Sequence, residues 1–439
     1  MPFEAIDPPR NNLSAAARRI AVIGGGISGM GAAHLLGDEN QVTLFETCTR
    51  LGGHARTKIA GKNGDQPVDT GFIVFNYANY PHLAALFKEL DVPVVKSNMS
   101  FGASIDGGRL EYALMTLDSI FAQRSNLANP KFLRMLSDIV RFNNNATKIA
   151  RDRSLTIGGF LQKLGAGEYF RKYYLAPLSG AIWSTPVGKI MDFPAYSLID
   201  FFENHALLSH SGQHQWYTVQ GGSQEYVSRL TTSLTAKGVN IRVSAAVQSV
   251  RRNALGVEIK TDGANWESFD EVVFATHSDD ALALISDPST QETKALGAMK
   301  YQPNDIVLHA DTSIMPKRRK TWASWIYSED KHNVSDRIDL TYWMNSLQPI
   351  PMDDPHFVTL NTKRTIREEL IYDQVTLRHP VYDLGAIAAQ EQVRGFNGTN
   401  NTWFCGAWMK HGFHEDGLSS AVDVVRGMRD QSRIVMAAE

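Results

Sequence analysis

The sequence predicts an α/β fold in which a first domain with a central parallel sheet is interleaved with an α+β second domain. Three observations lead there. A short apolar run at 18–23 passes through a glycine cluster directly into a helical pattern at 27–36. The middle of the chain turns helical, and alternating strand and helix patterns then resume. The 439 residues exceed the ~250–300 at which a single core stops growing, so two domains are expected.

Residues 1–17 contain Glu4, Asp7, Pro8 and Pro9 and read as a polar tail, without the apolar core of a signal peptide. The run at 18–23, the helix at 27–36 and a second strand at 41–46 make a βαβ opening. Helical patterns dominate 80–215. The clearest is 131–150, where Phe132, Met135, Leu136, Ile139, Val140, Ala146 and Ile149 share a face, followed by 167–182 and 195–207. A helix at 223–237 and strands at 239–243, 247–252, 257–261 and 271–275 come next. Strands rich in Trp, Tyr and Val fill about 290–395, with a helix near 383–393. A strand at 402–405 precedes a closing helix from Leu418. The first domain is thus expected at 1–80, 216–288 and 396–439, and the second domain at 81–215 and 289–395.

Composition excludes several functions. The 44 basic and 46 acidic residues are spread along the chain, giving a net charge of −2 and no basic stripe for nucleic acid. Two cysteines, Cys48 and Cys405, cannot build a disulfide framework or a four-ligand zinc site, and fit a reducing, cytoplasmic compartment. His205, His210 and His214 are spaced by five and four, which matches no common ligand pattern, so a polar loop and no metal are expected. No stretch approaches ~20 consecutive apolar residues, so a soluble chain is expected. The helix at 131–150 has Lys131, Arg134 and Arg141 in its first half beside an apolar face. That pattern suits transient contact with a membrane surface, although packing on its own domain is the commoner use.

Gly24, Gly26 and Gly29 fit GxGxxG between a strand and a helix, with Ser28 inside the motif. The first glycine allows the tight turn, the second lets backbone approach a pyrophosphate, and the third lets helix and strand pack closely. Phosphate then meets the free N–H groups of a helix N-terminus. Glu46 follows Gly24 by 22 positions, where an acidic residue is expected to bond ribose hydroxyls.

The next block, Arg50-Leu51-Gly52-Gly53-His54-Ala55-Arg56-Thr57, resembles the glycine-doublet signature of the flavin amine oxidase superfamily, which includes protoporphyrinogen oxidase and the bacterial carotenoid desaturases. The resemblance implies FAD, with Gly52 and Gly53 bringing backbone close to it. His54 stands where the family often has an arginine on the diphosphate; Arg50 or Arg56 is then expected to supply that contact. Val68-Asp69-Thr70-Gly71-Phe72 looks like the family's Asp-x-Gly segment, which places Gly71 and Phe72 near the flavin ring. The stretches at 247–250 and 270–276 look like its second cofactor block, with the Val247 backbone at the adenine. Gly406, Ala407, Asp416, Gly417 and Leu418 lie in segments similar to the closing FAD motif, where a helix is aimed at the flavin.

The chain is most similar to a bacterial group usually labelled predicted NAD/FAD-binding proteins, on the stretches 181–186, 379–382 and 412–417. Members of that group often accompany enzymes that methylate or cyclopropanate fatty acyl chains, and some are linked to furan fatty acids. The resemblance therefore implies FAD-dependent dehydrogenation of an apolar, fatty-acyl substrate. Amine oxidases of the superfamily place a cage tyrosine three positions before the helix-opening glycine; here that position is His414. They also place a lysine on a substrate-domain strand, and 301–309 has none, with Lys300 just outside. His414 is a candidate proton acceptor, against the blander use of a histidine held by hydrogen bonds at a domain junction. An amine oxidase is the first alternative. A lipid carrier on the same fold, like the GDP-dissociation inhibitors, is the second, disfavoured because the cofactor blocks persist.

Overall fold

The computed structural model describes residues 17–183, 189–204, 208, 214–330 and 337–438. His205 and His210, the first sixteen residues of the tail and residues 184–186 lie outside them; His214 lies within. The chain opens with β1 (Arg19–Ile23), α1 (Ile27–Leu36) and β2 (Gln41–Phe45). In each strand the first residue is exposed and the next four are buried, as in a parallel sheet covered on both faces.

Three helices follow that the argument uses: α2 (Pro81–Glu89), α3 (Pro130–Ala150) and α4 (Ala195–Asn204). The start of α3 is set by Asn129, whose side chain accepts from Lys131 N and Phe132 N, and by Pro130 in the first turn. Its inner face buries Phe132, Met135, Ile139, Phe142 and Ala146, and Phe142 meets Phe202 of α4 edge-on at 6.0 Å. The helical pattern at 167–182 is a three-residue turn, a π-turn at Arg171–Leu175 and a helix over Ala176–Trp183.

The chain then returns to the first sheet through α5 (Gln224–Ala236), β3 (Asn240–Arg242) and β4 (Glu271–Phe274), and closes it with β5 (Thr402–Phe404). All neighbours are parallel, in the order β3-β2-β1-β4-β5. A small antiparallel sheet over Val247–Asn253, Gly256–Thr261 and Glu267–Phe269 packs on one face, with Phe45 meeting Phe269 edge-on at 6.0 Å. The other face carries α1 and the last helix, α6 (His414–Ala438). These two helices pack closely: a Cβ on Gly31 would fall 2.4 Å from Leu418 Cδ1.

The second domain is built on a seven-stranded sheet in the order 371–381, 300–309, 357–360, 339–343, 325–329, 101–105, 110–113. Its pairs are antiparallel except 325–329 with 101–105. Buried groups tie the two domains together. Asp69 N donates to Gln348 Oε1 and Gln348 Nε2 to Asp69 Oδ2, both at 2.9 Å. The same carboxylate accepts from Thr57 Oγ1, Ser223 Oγ and Ser223 N at the start of α5. Burial outweighs these donors and pushes the Asp69 carboxyl up to about 6.

The start of the closing helix differs from expectation. The closing helix starts at His414, four residues before Leu418, so Gly417 lies inside its first turn. Asp416 accepts from Phe413 N at 2.9 Å and His411 N at 3.2 Å, which gathers the approach to the helix. Gly417 is needed for packing: a Cβ there would sit 2.8 Å from Ser28 Oγ and 3.0 Å from Ile27 Cγ2.

Candidate active site

Backbone lines the centre of the site. Gly24 takes φ +108°, and a Cβ on it would lie 2.8 Å from Ala275 O, so the turn leaving β1 needs glycine. A Cβ on Gly29 would collide with Gly24 O at 1.8 Å. Gly26 instead faces the doublet, its nearest neighbour being Gly53 Cα at 4.0 Å. Gly52 N donates to Gly25 O at 2.8 Å, and Gly26 and Gly52 form an isolated parallel bridge. The two glycine loops therefore stack as bare backbone.

Helix α1 begins there with no cap. Gly26 offers no side chain, the first turn holds no acid, and all ten residues are buried. The first intrahelical bond is Met30 N to Gly26 O, which leaves the N–H groups of Ile27, Ser28 and Gly29 without an intrahelical partner. An uncapped, buried helix N-terminus under a glycine cradle fits a diphosphate. The N-terminus of α6 converges on the same place through Gly417 and Ser28.

At the other end of the cradle stands Glu46, half-buried after β2. Its carboxylate accepts from Gly25 N and Cys48 N, each at 2.7 Å. The strand before Val247 runs alongside, with Ala245 N on Glu46 O and Ser244 N on Cys48 O. Glu46 and the Val247 segment are thus neighbours, as a ribose and its adenine require.

The two arginines are committed to the protein. Arg50 donates to the carbonyls of Leu51, Gly53 and Ala55 at 3.0–3.1 Å, which fixes the doublet loop. Arg56 pairs with Asp373 of the second domain and donates to Thr70 Oγ1. Thr57 bridges Asp69 Oδ1 and Gln224 N. In this arrangement Arg50 and Arg56 hold the framework on which the doublet rests.

His54 and the Asp-x-Gly segment form the next wall. Phe72 N donates to His54 O at 3.0 Å, and a Cβ on Gly71 would collide with that oxygen at 1.9 Å. Phe72 stacks on His414 with ring centres 4.0 Å apart. On its other side His414 Nε2 meets the hydroxyl of buried Tyr226, in α5, at 2.5 Å. Nδ1 has no protein partner among the described residues. Burial, helped by the neighbouring His54, lowers the His414 pKa to about 3, so at neutral pH the ring is uncharged. Next to it, Phe413 stacks on Phe201 of α4 at 4.9 Å.

The acids of the first turn of α6 face elsewhere. Glu415 is buried and caps α2, accepting from His82 N at 3.0 Å, His82 Nδ1 at 2.6 Å and Leu83 N at 2.9 Å. Asp416 gathers the backbone described above. Gly406 N donates to Ser420 Oγ, and Ala407 lies in a short turn beside Gly417. Leu418 is fully buried against α1.

Three further histidines meet at the domain junction. His54 lies 5.9 Å from His277 and 5.5 Å from His379, ring to ring. Burial lowers His277 and His379 to about 3 and lowers His54 as well. His277 also stacks on Tyr301 at 4.2 Å. Among the described residues, the group whose ligand atoms lie within 4.8 Å of one another is His277, Asp279 and Asp280. Both of its carboxylates are ion-paired to Arg378, at 2.7 and 2.5 Å.

The structure thus gathers Gly24, Gly26, Ser28, Gly29, Gly52, Gly53, His54, Gly71, Phe72, His414, Gly417 and Leu418 around one cradle. Sequence reasoning missed Tyr226 and His277, and did not give His379 a role. Tyr226 sits in an ordinary helical pattern that carries no signal. His277 directly follows the 270–276 block, and His379 lies within a stretch already singled out, so both were within reach.

Three comparisons bear on this site. A family model described as flavin containing amine oxidoreductase matches residues 27–362. Over 77 residues the chain is 43% identical to coproporphyrinogen III oxidase of Mycobacterium bovis, a match spanning 17% of this chain and 16% of that protein. Among solved structures, a CLA-producing fatty acid isomerase from P. acnes superposes with a TM-score of 0.67 at 15% identity, over 95% of this chain and 99% of the other. Cyclohexylamine oxidase from Brevibacterium oxydans gives 0.65 at 13% identity, over 94% and 100%. At such identities the structural likeness shows the fold alone.

Proposed function

The chain belongs to the flavin containing amine oxidoreductase family and is a flavin-dependent oxidoreductase using FAD; from that premise we propose that its substrate is an apolar, fatty-acyl chain, which it dehydrogenates. The backbone cradle of Gly24, Gly26, Gly52 and Gly53 and the start of α1 would hold the diphosphate, and Glu46 the ribose. FAD bound there supplies a hydride acceptor.

The observation that carries the acyl reading is the neutrality of the wall at the start of α6. His414 is uncharged and lies flat on Phe72, and Phe413 lies flat on Phe201. Glu415 is taken up by the start of α2, and Asp416 accepts from His411 N and Phe413 N through one oxygen. An ammonium substrate would lose its hydration against these uncharged rings, whereas methylene groups lose nothing. Lys300 is exposed and donates to Gly297 O, so it does not enter the site. The same fold serves a protein named as a fatty acid isomerase.

Removing two hydrogens from adjacent carbons requires a hydride acceptor and a proton acceptor. His414 Nδ1 takes the proton while Nε2 stays hydrogen-bonded to Tyr226. With its pKa near 3, the protonated ring lies about 5 kcal/mol above the neutral one at pH 7, so the proton passes on to solvent and the base is regenerated. The test is anaerobic bleaching of the flavin absorbance by methyl-branched or unsaturated acyl lipids beside a panel of primary amines. Bleaching by the lipids is expected; bleaching by amines alone overturns the reading.

A further inference from the structure

We propose that the outer face of the helical layer, centred on α3, docks the protein on an anionic lipid surface. Twelve large apolar side chains are exposed among the described residues, and five of them fall within 115–140: Met115, Leu117, Leu127, Leu133 and Val140. Single exposed apolar residues are ordinary; five of the twelve in one short stretch are a concentration. Leu133 and Val140 are seven positions apart in α3, so they lie on one stripe of the helix. They are 41% and 46% exposed, and Leu117 reaches 76%.

Charge identifies the partner. Residues 115–172 carry ten basic and four acidic side chains, in a chain whose net charge is −2. Along α3, Arg134 and Arg141 run beside the Leu133–Val140 stripe, and Lys131 and Lys148 are exposed on the same helix. The helix has one acid, Asp138, which is buried beneath the two arginines at 3.8 and 3.4 Å. Its carboxylate holds them and offsets part of their charge, leaving α3 with four cations against one acid. On α3 apolar side chains interleave with cations and no acid is exposed, and the exposed Asp118 beside Leu117 is paired with Arg124 and Lys320; this pattern matches the boundary between acyl chains and anionic headgroups.

The inner side of the layer leads to the site. Phe142 of α3 packs on Phe202 of α4, and Phe201 of α4 stacks on Phe413, next to His414. An apolar layer therefore separates the docking face from the reacting end. The face itself rests on exposure and charge and does not depend on the acyl reading: a protein that binds vesicles without oxidising lipid would sink only that reading.

The experiment is cosedimentation of the FAD-loaded full chain with vesicles. One set is phosphatidylcholine alone, the other phosphatidylcholine and phosphatidylglycerol in equal amounts. Binding to the anionic set, weakened by added salt, is expected. Leu133→Asp with Val140→Asp is expected to weaken it at least roughly tenfold, with flavin content and circular dichroism unchanged. Lys131→Gln with Lys148→Gln, which alters no buried atom, is a second variant with the same expected direction. Failure to bind anionic vesicles, or undiminished binding by both variants, overturns the proposal. So does a change of oligomeric state in the Leu133/Val140 variant with vesicle binding intact, which would assign the face to a second copy.

Discussion

Two residues carry the most specific expectations. Glu46 anchors the glycine loop through Gly25 N and is placed to meet a ribose. Glu46→Ala removes charge-assisted bonds worth about 1.5–3 kcal/mol, so FAD affinity should fall roughly ten- to a hundredfold. Titration of the apoprotein with FAD measures this, and an unchanged dissociation constant would contradict the assignment. His414→Ala should slow flavin reduction by about 10²–10⁴-fold and leave FAD bound, since the helix end beside it is backbone. Tyr226→Phe should keep FAD and the fold, yet shift the pH profile of flavin reduction, because the imidazole loses its hydrogen-bond partner at Nε2. An identical profile would make Tyr226 a packing residue only. The glycines, Glu46 and His414 stand out in the sequence because the pattern that marks them is local: each is placed by its spacing to a strand or helix end. Tyr226 was not, since it meets His414 across 188 positions of sequence.

At the scale of elements, the parallel sheet and α3 were readable for the same reason. Buried strands are continuous apolar runs, and a long amphipathic helix repeats its face many times. The start of α6 was misplaced by four residues because Gly417 looks like a helix-opening glycine. What demands glycine there is contact with Ile27 and Ser28 of α1, which no local pattern reveals. Gly417→Ala should therefore disturb the meeting of the two helix ends. The expected outcome is weaker FAD binding with α6 still formed, read by flavin retention and circular dichroism. Full flavin occupancy in this variant would show that the ends can separate without cost.

Across the whole molecule, buried ionisable groups at the domain junction set the response to pH. His277, His379 and His414 have folded pKa values near 3, below the unfolded ~6.5. Below pH 6.5 the unfolded chain binds their protons and the folded chain does not, so each costs up to ~1.4 kcal/mol of stability per pH unit. Asp69 acts oppositely: its folded pKa of about 6 exceeds the unfolded value, so its contribution improves as pH falls from 6 toward 4. Three histidines outweigh one aspartate. Urea unfolding of the apoprotein should show lower stability at pH 5.5 than at 7.5, and equal or higher stability would contradict the buried, neutral state of the cluster. None of this was visible in sequence, because His54, His277 and His379 come from three distant segments that only the interleaved domains bring together.

The central claim is that FAD and an acyl chain meet at the neutral wall beside His414. The most direct measurement is mass spectrometry of the lipid recovered from an anaerobic single turnover of the FAD-loaded protein. The account predicts that each bleached flavin is matched by one acyl chain lighter by two hydrogens. Bleached flavin with every acyl chain unchanged would contradict it.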